Sequence, residues 1–313
     1  MKSHPLQLTG SILTATMREV GEQPSKLRSF LSIPVERATS GSIFVGAGDS
    51  YAAALTTFYL SGGKYLAFDP YAIFTIPSAA AGRDVFFISV SGRTSSNVSA
   101  ARKLRGLARR RIAITANQDS PLAEEVDDVI LLPHESRARV AGTLSFTLAL
   151  LASMKVALGE FSCNFSRAYS AAKVAQKKAA ISDHGTTYIL GNNAVHAIAV
   201  YGAAKVYEIL GYRAYAEQLE EFSHMELFSL KASDSVIIFS AFDPARIGAR
   251  LHAALRSRGY VASLLDPHSS NTAETIFYYA FLSQLAPLAK AQARGLSEPY
   301  LVGARKKLQV SDS

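Results

Sequence analysis

A single cysteine in 313 residues, Cys163, excludes an internal disulfide framework. Its setting, Glu160-Phe161-Ser162-Cys163-Asn164, offers no activating base, so the thiol reads as a spectator rather than a nucleophile. No apolar segment runs uninterrupted for about 18 residues, the length needed to cross a bilayer. The opening Met1-Lys2-Ser3-His4-Pro5-Leu6 lacks a signal-peptide core, and a cytoplasmic protein with no membrane partner is expected. The histidines at 4, 134, 184, 196, 224, 252 and 268 have no ligand-type spacing, so no metal site is expected.

Acidic residues are in deficit, giving a formal charge of +8. The runs Arg109-Arg110-Arg111 and Arg305-Lys306-Lys307 raise a nucleic-acid reading. The arginine triplet, however, falls between a helical pattern ending near Leu107 and the apolar run Ile112 to Thr115, where basic side chains suit a helix C-terminus and stay solvated. No nucleic-acid partner is expected, and modest positive charge equally suits a small anionic substrate.

The most informative stretch is Phe86-Phe87-Ile88-Ser89-Val90-Ser91-Gly92-Arg93-Thr94-Ser95-Ser96-Asn97, an apolar strand breaking into hydroxyls around one glycine before a helical pattern. Ser91 or Thr94 is placed to cap that helix. Gly92 allows close backbone approach, and Ser89, Ser91 and Thr94 add donors beside the positive helix end, a combination suited to a phosphate. A second turn, Ile43-Phe44-Val45-Gly46-Ala47-Gly48-Asp49-Ser50, also follows a strand-like run. Adjacent parallel strands bring Gly48 and Ser50 beside the hydroxyl loop, where open α/β sheets bind ligands.

Strand-like segments at 43–47, 85–90, 112–116 and 128–132 alternate with helical patterns at 52–61, 97–108 and 143–158, the alternation of a doubly wound parallel sheet. Tyr188-Ile189-Leu190-Gly191-Asn192 repeats Phe44-Val45-Gly46 at an offset of 145 residues, and Val236 to Ser240 repeats Val85 to Ser89 at 151. A duplicated α/β unit is expected, divided as a helical segment 1–35, a first domain 36–160 and a second 185–313. The second copy reads Ala241-Phe242-Asp243-Pro244 after Ser240, replacing hydroxyls with a carboxylate that repels phosphate.

These segments, with Met17-Arg18-Glu19-Val20-Gly21-Glu22-Gln23-Pro24, Ile114 to Asn117, Ser120 to Ala123, Val140 to Thr143 and Lys205-Val206-Tyr207-Glu208, resemble the sugar isomerase (SIS) superfamily. The likeness is to the isomerase half of glucosamine-6-phosphate synthase and, through Ser223-His224-Met225-Glu226, to the phosphoglucose/phosphomannose isomerases. It implies two tandem SIS domains of flavodoxin-like topology and a homodimer acting on a hexose 6-phosphate or amino-hexose 6-phosphate without a cofactor. Glu208 matches the family's base, which moves a proton between C1 and C2 through a cis-enediol, and burial is expected to help it. His224 matches a ring-opening histidine that relatives contribute across a dimer interface.

Arg139, in Glu135-Ser136-Arg137-Ala138-Arg139, is a candidate for stabilising the enediolate, and Lys306 or Lys307 for a lysine of the family's covering tail. The synthase's Ser-Thr-Lys stands here as Gly142-Thr143-Leu144, and no N-terminal cysteine follows Met1, so a complete glutamine-dependent synthase is not expected. A glucosamine-6-phosphate deaminase, an ammonia-dependent enzyme and a non-catalytic phosphosugar sensor remain alternatives. A nicotinamide-binding reading rests on Gly46-Ala47-Gly48 with Asp69 lying 23 residues after Gly46, but Tyr51 occupies the third glycine's place.

Overall fold

The computed structural model describes residues 11–134 and 141–308, without the side chains of Arg305, Lys306 and Leu308. The chain opens on α1 (Ile12–Leu31), capped by Ser11, whose side chain accepts from the backbone N–H of Thr14. A five-stranded parallel sheet follows, ordered β2-β1-β3-β4-β5. Its strands are β1 (Ile43–Gly46), β2 (Leu66–Phe68), β3 (Asp84–Ile88), β4 (Arg110–Thr115) and β5 (Asp128–Leu131). Between and after them come α2 (Asp49–Leu60), α3 (Pro70–Thr75), α4 (Ser95–Lys103), α5 (Pro121–Glu124) and α6 (Leu144–Leu158).

After α7 (Phe165–Ala175), a four-stranded parallel sheet is ordered β7-β6-β8-β9. It comprises β6 (Thr187–Leu190), β7 (Ala214–Glu217), β8 (Ser235–Phe239) and β9 (Val261–Leu265), with α8 (Ala194–Leu210), α9 (Leu219–His224) and α10 (Ile247–Ser257) between them. The chain closes on α11 (Thr272–Ala293) and α12 (Tyr300–Leu308).

Strand periodicity decides how the layers pack. Phe44, Phe86, Ile112 and Ile114 of the first sheet and Ile189, Ile237, Phe239 and Leu265 of the second all enter one apolar core, shared with α1, α6, α8 and α11. Phe44 stacks on Phe86, ring centroids 5.0 Å apart, because the parallel register sets them side by side. Alternate residues Val45, Val85, Phe87 and Ala113 fill a separate outer cluster under α3, α4 and α5. Helices caught between two sheets cannot keep a polar face, and α6 buries residues on every side.

The apolar core is therefore continuous across the 160–185 junction rather than split there. The missed strands β2, β7 and β9 are edge strands beside β1, β6 and β8; β2 and β7 are three and four residues long and only partly buried, too short for an apolar pattern. Helix α7 begins at Phe165, in the stretch between the two expected domains.

The arginine triplet corrects the sequence reading. Strand β4 starts at Arg110, all three guanidiniums are paired, and Arg111 is buried while Arg109 and Arg110 stay partly exposed. Arg109 donates to buried Asp84, Arg110 bridges Glu36 and Asp128 at 2.8 Å each, and Arg111, buried, meets Asp127 at 2.6 Å. Each is paired with a carboxylate, so the three do not form a cluster of free cations. No described helix is long and apolar enough to cross a membrane.

A candidate active site between the halves

The turn from β1 into α2 is forced by its glycines. A Cβ on Gly46 would lie 2.5 Å from the Ser50 carbonyl oxygen, so only hydrogen fits, and Gly48 turns the chain at φ +56°. Asp49 then opens α2, with Ser50 half-buried behind it. On the next strand Ser89 is buried, its Oγ 3.2 Å from Thr94 Oγ1. Gly92, at φ +64°, sits against Ser120, whose Oγ would be 2.0 Å from an added Cβ. Ser91 Oγ accepts from the Arg93 N–H at 3.2 Å.

Thr94 stands at the N-cap of α4 without capping it; its hydroxyl is turned to Ser89. The first turn of α4 thus has no side-chain cap, leaving the positive end of the helix open. Buried Asn97 adds an Oδ1 on that turn with no partner among the described residues, while its Nδ2 faces the Ile88 carbonyl at 3.4 Å. The second half is the opposite case. Asp243 accepts from the N–H groups of Ile247 and Gly248 at 3.0 and 2.7 Å, filling the α10 N-terminus with the chain's own carboxylate.

Lys205 lies on α8, fully buried, and its ammonium is 2.8 Å from Asp49 Oδ2 and in a closer contact with Glu208 Oε2. Helices α2 and α8 pack together, so the pair joins the first-half turn to Glu208 of the second half. Burial pulls the lysine down, but Asp49 and Glu208 outweigh it and hold the ammonium above its ordinary range. Burial pushes the Asp49 carboxyl up to about 6, Glu208 adding to the rise and Lys205 opposing it. Glu208 does pair with Lys205, as a plain helix glutamate would, yet its partner is an interior lysine. The burial expected of Glu208 is not found, its side chain being 31% exposed.

The wall behind Asp49 is fixed by Gly142, where a Cβ would be 2.5 Å from Asp49 Oδ2. The Tyr201 hydroxyl, on α8, donates to the Gly142 carbonyl at 2.7 Å. Glu19 of α1 accepts from the Thr143 hydroxyl and from Leu144 N–H, the latter at 3.1 Å, anchoring the start of α6. Gln23 receives the Thr147 hydroxyl at 2.9 Å and donates to Gln284 at 2.9 Å, tying α1, α6 and α11.

The remaining predicted residues stand apart. His224 ends α9, its side chain 71% exposed, with Nε2 3.2 Å from Glu220. Among the described residues no hydrogen bond or ion pair joins it to Glu208, Lys205 or Asp49. Arg139 and the Lys306 side chain lie outside the described residues, and Lys307 is exposed on α12. Asp69, the acid of the nicotinamide reading, caps α3 by accepting from Tyr71 and Ala72 N–H, so its carboxylate is already engaged. Burial, with Glu274 adding, pushes the Cys163 thiol up to about 12, as a spectator requires. No cluster of metal-ligating side chains occurs among the described residues.

Asp49 and Lys205 were missed as site residues. Lys205 carried a signal, since it is three residues before Glu208 and shares its helix face. Asp49 carried none beyond its position after Gly48.

Solved structures share the fold. Glucosamine-6-phosphate deaminase from Thermotoga maritima superposes at a TM-score of 0.72 with 23% identity, covering 91% of this chain and 97% of that one. Tagatose-6-phosphate ketose/aldose isomerase from Escherichia coli gives 0.72 at 18% identity, covering 94% and 97%. The C-terminal domain of glucosamine-fructose-6-phosphate aminotransferase from Francisella tularensis gives 0.69 at 18%, covering 89% and 96%. No curated protein matches the chain. The sequence of residues 40–158, from the turn before β1 to the end of α6, matches the SIS domain.

Proposed function

We propose that this chain is a phosphosugar isomerase interconverting aldose and ketose hexose 6-phosphates. One observation carries the reading: buried Lys205 ties Glu208 to Asp49, on the turn beside the Ser89–Thr94 loop. The phosphate sits on that loop, held by the hydroxyls of Ser50, Ser89, Ser91 and Thr94, the open turn of α4 and the backbone at Gly48 and Gly92. Sugar carbons C1 and C2 then reach Glu208, which takes a proton from one and returns it to the other through a cis-enediol. Lys205, fixed beside the base, sets the carboxylate's orientation.

The second half descends from a copy of the first. Asn193 turns the chain at φ 53°, ψ −132°, close to φ 56°, ψ −124° at Gly48, and the two positions are 145 residues apart. Both sheets also share an order in which the first strand lies between the second and third. Two tandem units, 36–160 and 185–313, would share the core described above. Exposed His224 would complete the site of a second copy in a homodimer, opening the sugar ring there, with Lys306 and Arg139 as further candidates.

The reading is tested by incubating the protein with fructose 6-phosphate, glucose 6-phosphate, mannose 6-phosphate and glucosamine 6-phosphate and following interconversion. Turnover of at least one pair, with no turnover of unphosphorylated fructose, is expected. Tight binding of a sugar phosphate with no turnover of any would favour a sensor.

A further inference from the structure

An ammonium has three N–H groups to satisfy, and Lys205, with none of its side chain exposed, has no solvent to turn to. Two of the three meet the carboxylates of Asp49 and Glu208, and among the described residues no further acceptor bonds Nζ. The Tyr201 ring lies under it instead, with Nζ 4.9 Å from the ring centroid. A ring face is electron-rich and attracts a cation, more so where water is excluded. Tyr201, Lys205 and Glu208 stand at i, i+4 and i+7 on α8, so one helix face carries all three. The ring is itself held in place. It stacks on Phe146 of α6, centroids 3.6 Å apart with planes 12° from parallel, and its hydroxyl donates to the Gly142 carbonyl at 2.7 Å. Burial, with Asp49 and Glu208 adding, pushes the Tyr201 hydroxyl well above its ordinary range and keeps it a donor.

Glu208 depends on this arrangement. Its side chain is 31% exposed, and among the described residues Lys205 is its carboxylate's one hydrogen-bond partner. A carboxylate at the solvent edge loses its setting when the ammonium beside it shifts. Resting on the phosphosugar reading above, we propose that Tyr201 is a positioning residue for the proton-transfer base: its ring fixes the Lys205 ammonium, and the ammonium fixes the Glu208 carboxylate. Tyr201 is fully buried and meets no substrate, so it acts only through Lys205. The lysine, enclosed by two carboxylates and a ring, belongs to the same support and leaves Glu208 as the group that faces the sugar.

The test compares Tyr201→Leu, which removes the ring, with Tyr201→Phe, which keeps the ring and removes only the hydroxyl. Each is measured for kcat and, by calorimetry, for binding of whichever of the four sugar phosphates above the wild type turns over. Tyr201→Leu should lower kcat about tenfold, the effect of a cation–π contact in a sealed site, with binding within about threefold of wild type. Tyr201→Phe should recover kcat to within about threefold. In a Lys205→Met background Tyr201→Leu should add no further loss, because the ring then has no cation to hold. Tyr201→Met, flexible enough to fill the same space, replaces the leucine variant if that one does not fold, and the comparison with Tyr201→Phe stands if Lys205→Met does not. Equal falls in the phenylalanine and leucine variants, binding lost in step with kcat, or the same tenfold loss repeated without Lys205 overturns the inference and leaves the phosphosugar reading intact. If the wild type turns over none of the four, both fall together.

Discussion

Lys205 Nζ lies 2.8 Å from Asp49 Oδ2, a contact between residues 156 apart in sequence that joins the helix after β1 to the helix after β6. It is made wholly inside the protein on the lysine side, and Glu208 completes it.

Breaking this contact should be costly. Lys205→Met leaves two carboxylates facing each other, and a loss of about 3 kcal/mol in unfolding free energy is expected, the lower end for a buried pair because both carboxylates reach solvent. The Asp49 carboxyl is raised from 3.8 to about 6, so its protonated form favours the folded state: that stabilisation is full below about 3.8 and is lost as pH rises through about 6. Lys205 opposes that rise, so removing it lifts the Asp49 carboxyl further, and the variant should be less impaired at pH 5, where the carboxyl can take up a proton, than at pH 8 in urea unfolding. Equal losses at both would remove Asp49 from the account.

The proposed role of the Ser89–Thr94 loop gives a second expectation. Ser89→Ala and Thr94→Ala should each weaken binding of fructose 6-phosphate by about 1.5–3 kcal/mol, the worth of a hydrogen bond to a charged group. Fructose should bind the variants and the wild type alike in calorimetry. If fructose and fructose 6-phosphate bind the wild type equally, the loop is not an anion site.

Gly92 is constrained twice, by φ +64° and by Ser120 Cβ, 2.4 Å from where a new Cβ would stand. Gly92→Ala should abolish sugar-phosphate binding and lower the melting temperature. Pairing it with Ser120→Gly removes the clash but not the left-handed backbone cost of about 1–2 kcal/mol, so stability should return only in part. Full recovery in the double variant would mean the backbone angle is not needed.

Asp84 supplies an acid-stability prediction independent of function. Burial works against its ionisation, but hydrogen bonds from Arg109 and Thr39 outweigh burial and hold the carboxyl below its ordinary range. A lowered native pKa means stability that is present above about pH 4 and lost as pH falls through the native value. Asp84→Asn should cost about 1–2 kcal/mol at pH 7, a modest figure because the Arg109 side chain is half exposed. The difference from wild type should shrink toward pH 2; a pH-independent difference would assign the loss to packing.

Much of this was legible in the chain. The apolar runs at Ile43, Val85 and Ile112 are central strands because nothing but burial on both faces explains them. The hydroxyl-rich turn before α4 was readable from its serines, Thr94 and Gly92, and the carboxylate-capped turn of the second half from Asp243. Edge strands β2 and β7 were not readable, being short and half-exposed. The arginine triplet misled because its partners come from elsewhere in the fold, Asp84 on β3, Asp127 and Asp128 at the start of β5 and Glu36 in the loop before β1, which composition does not encode. Asp49 and Lys205 escaped for the same reason: their meeting depends on α2 packing on α8.

The most direct test of the proposed base is exchange of the C2 hydrogen of a hexose 6-phosphate with solvent deuterium, followed by NMR in the wild type and in Glu208→Gln. The substitution keeps size and hydrogen bonding but removes the base, so sugar-phosphate binding should survive. Exchange should fall by about 10²–10⁴-fold, for a cyclic substrate and for an open-chain analogue alike. Exchange at the wild-type rate in Glu208→Gln would contradict the isomerase mechanism and leave a phosphosugar sensor as the better account.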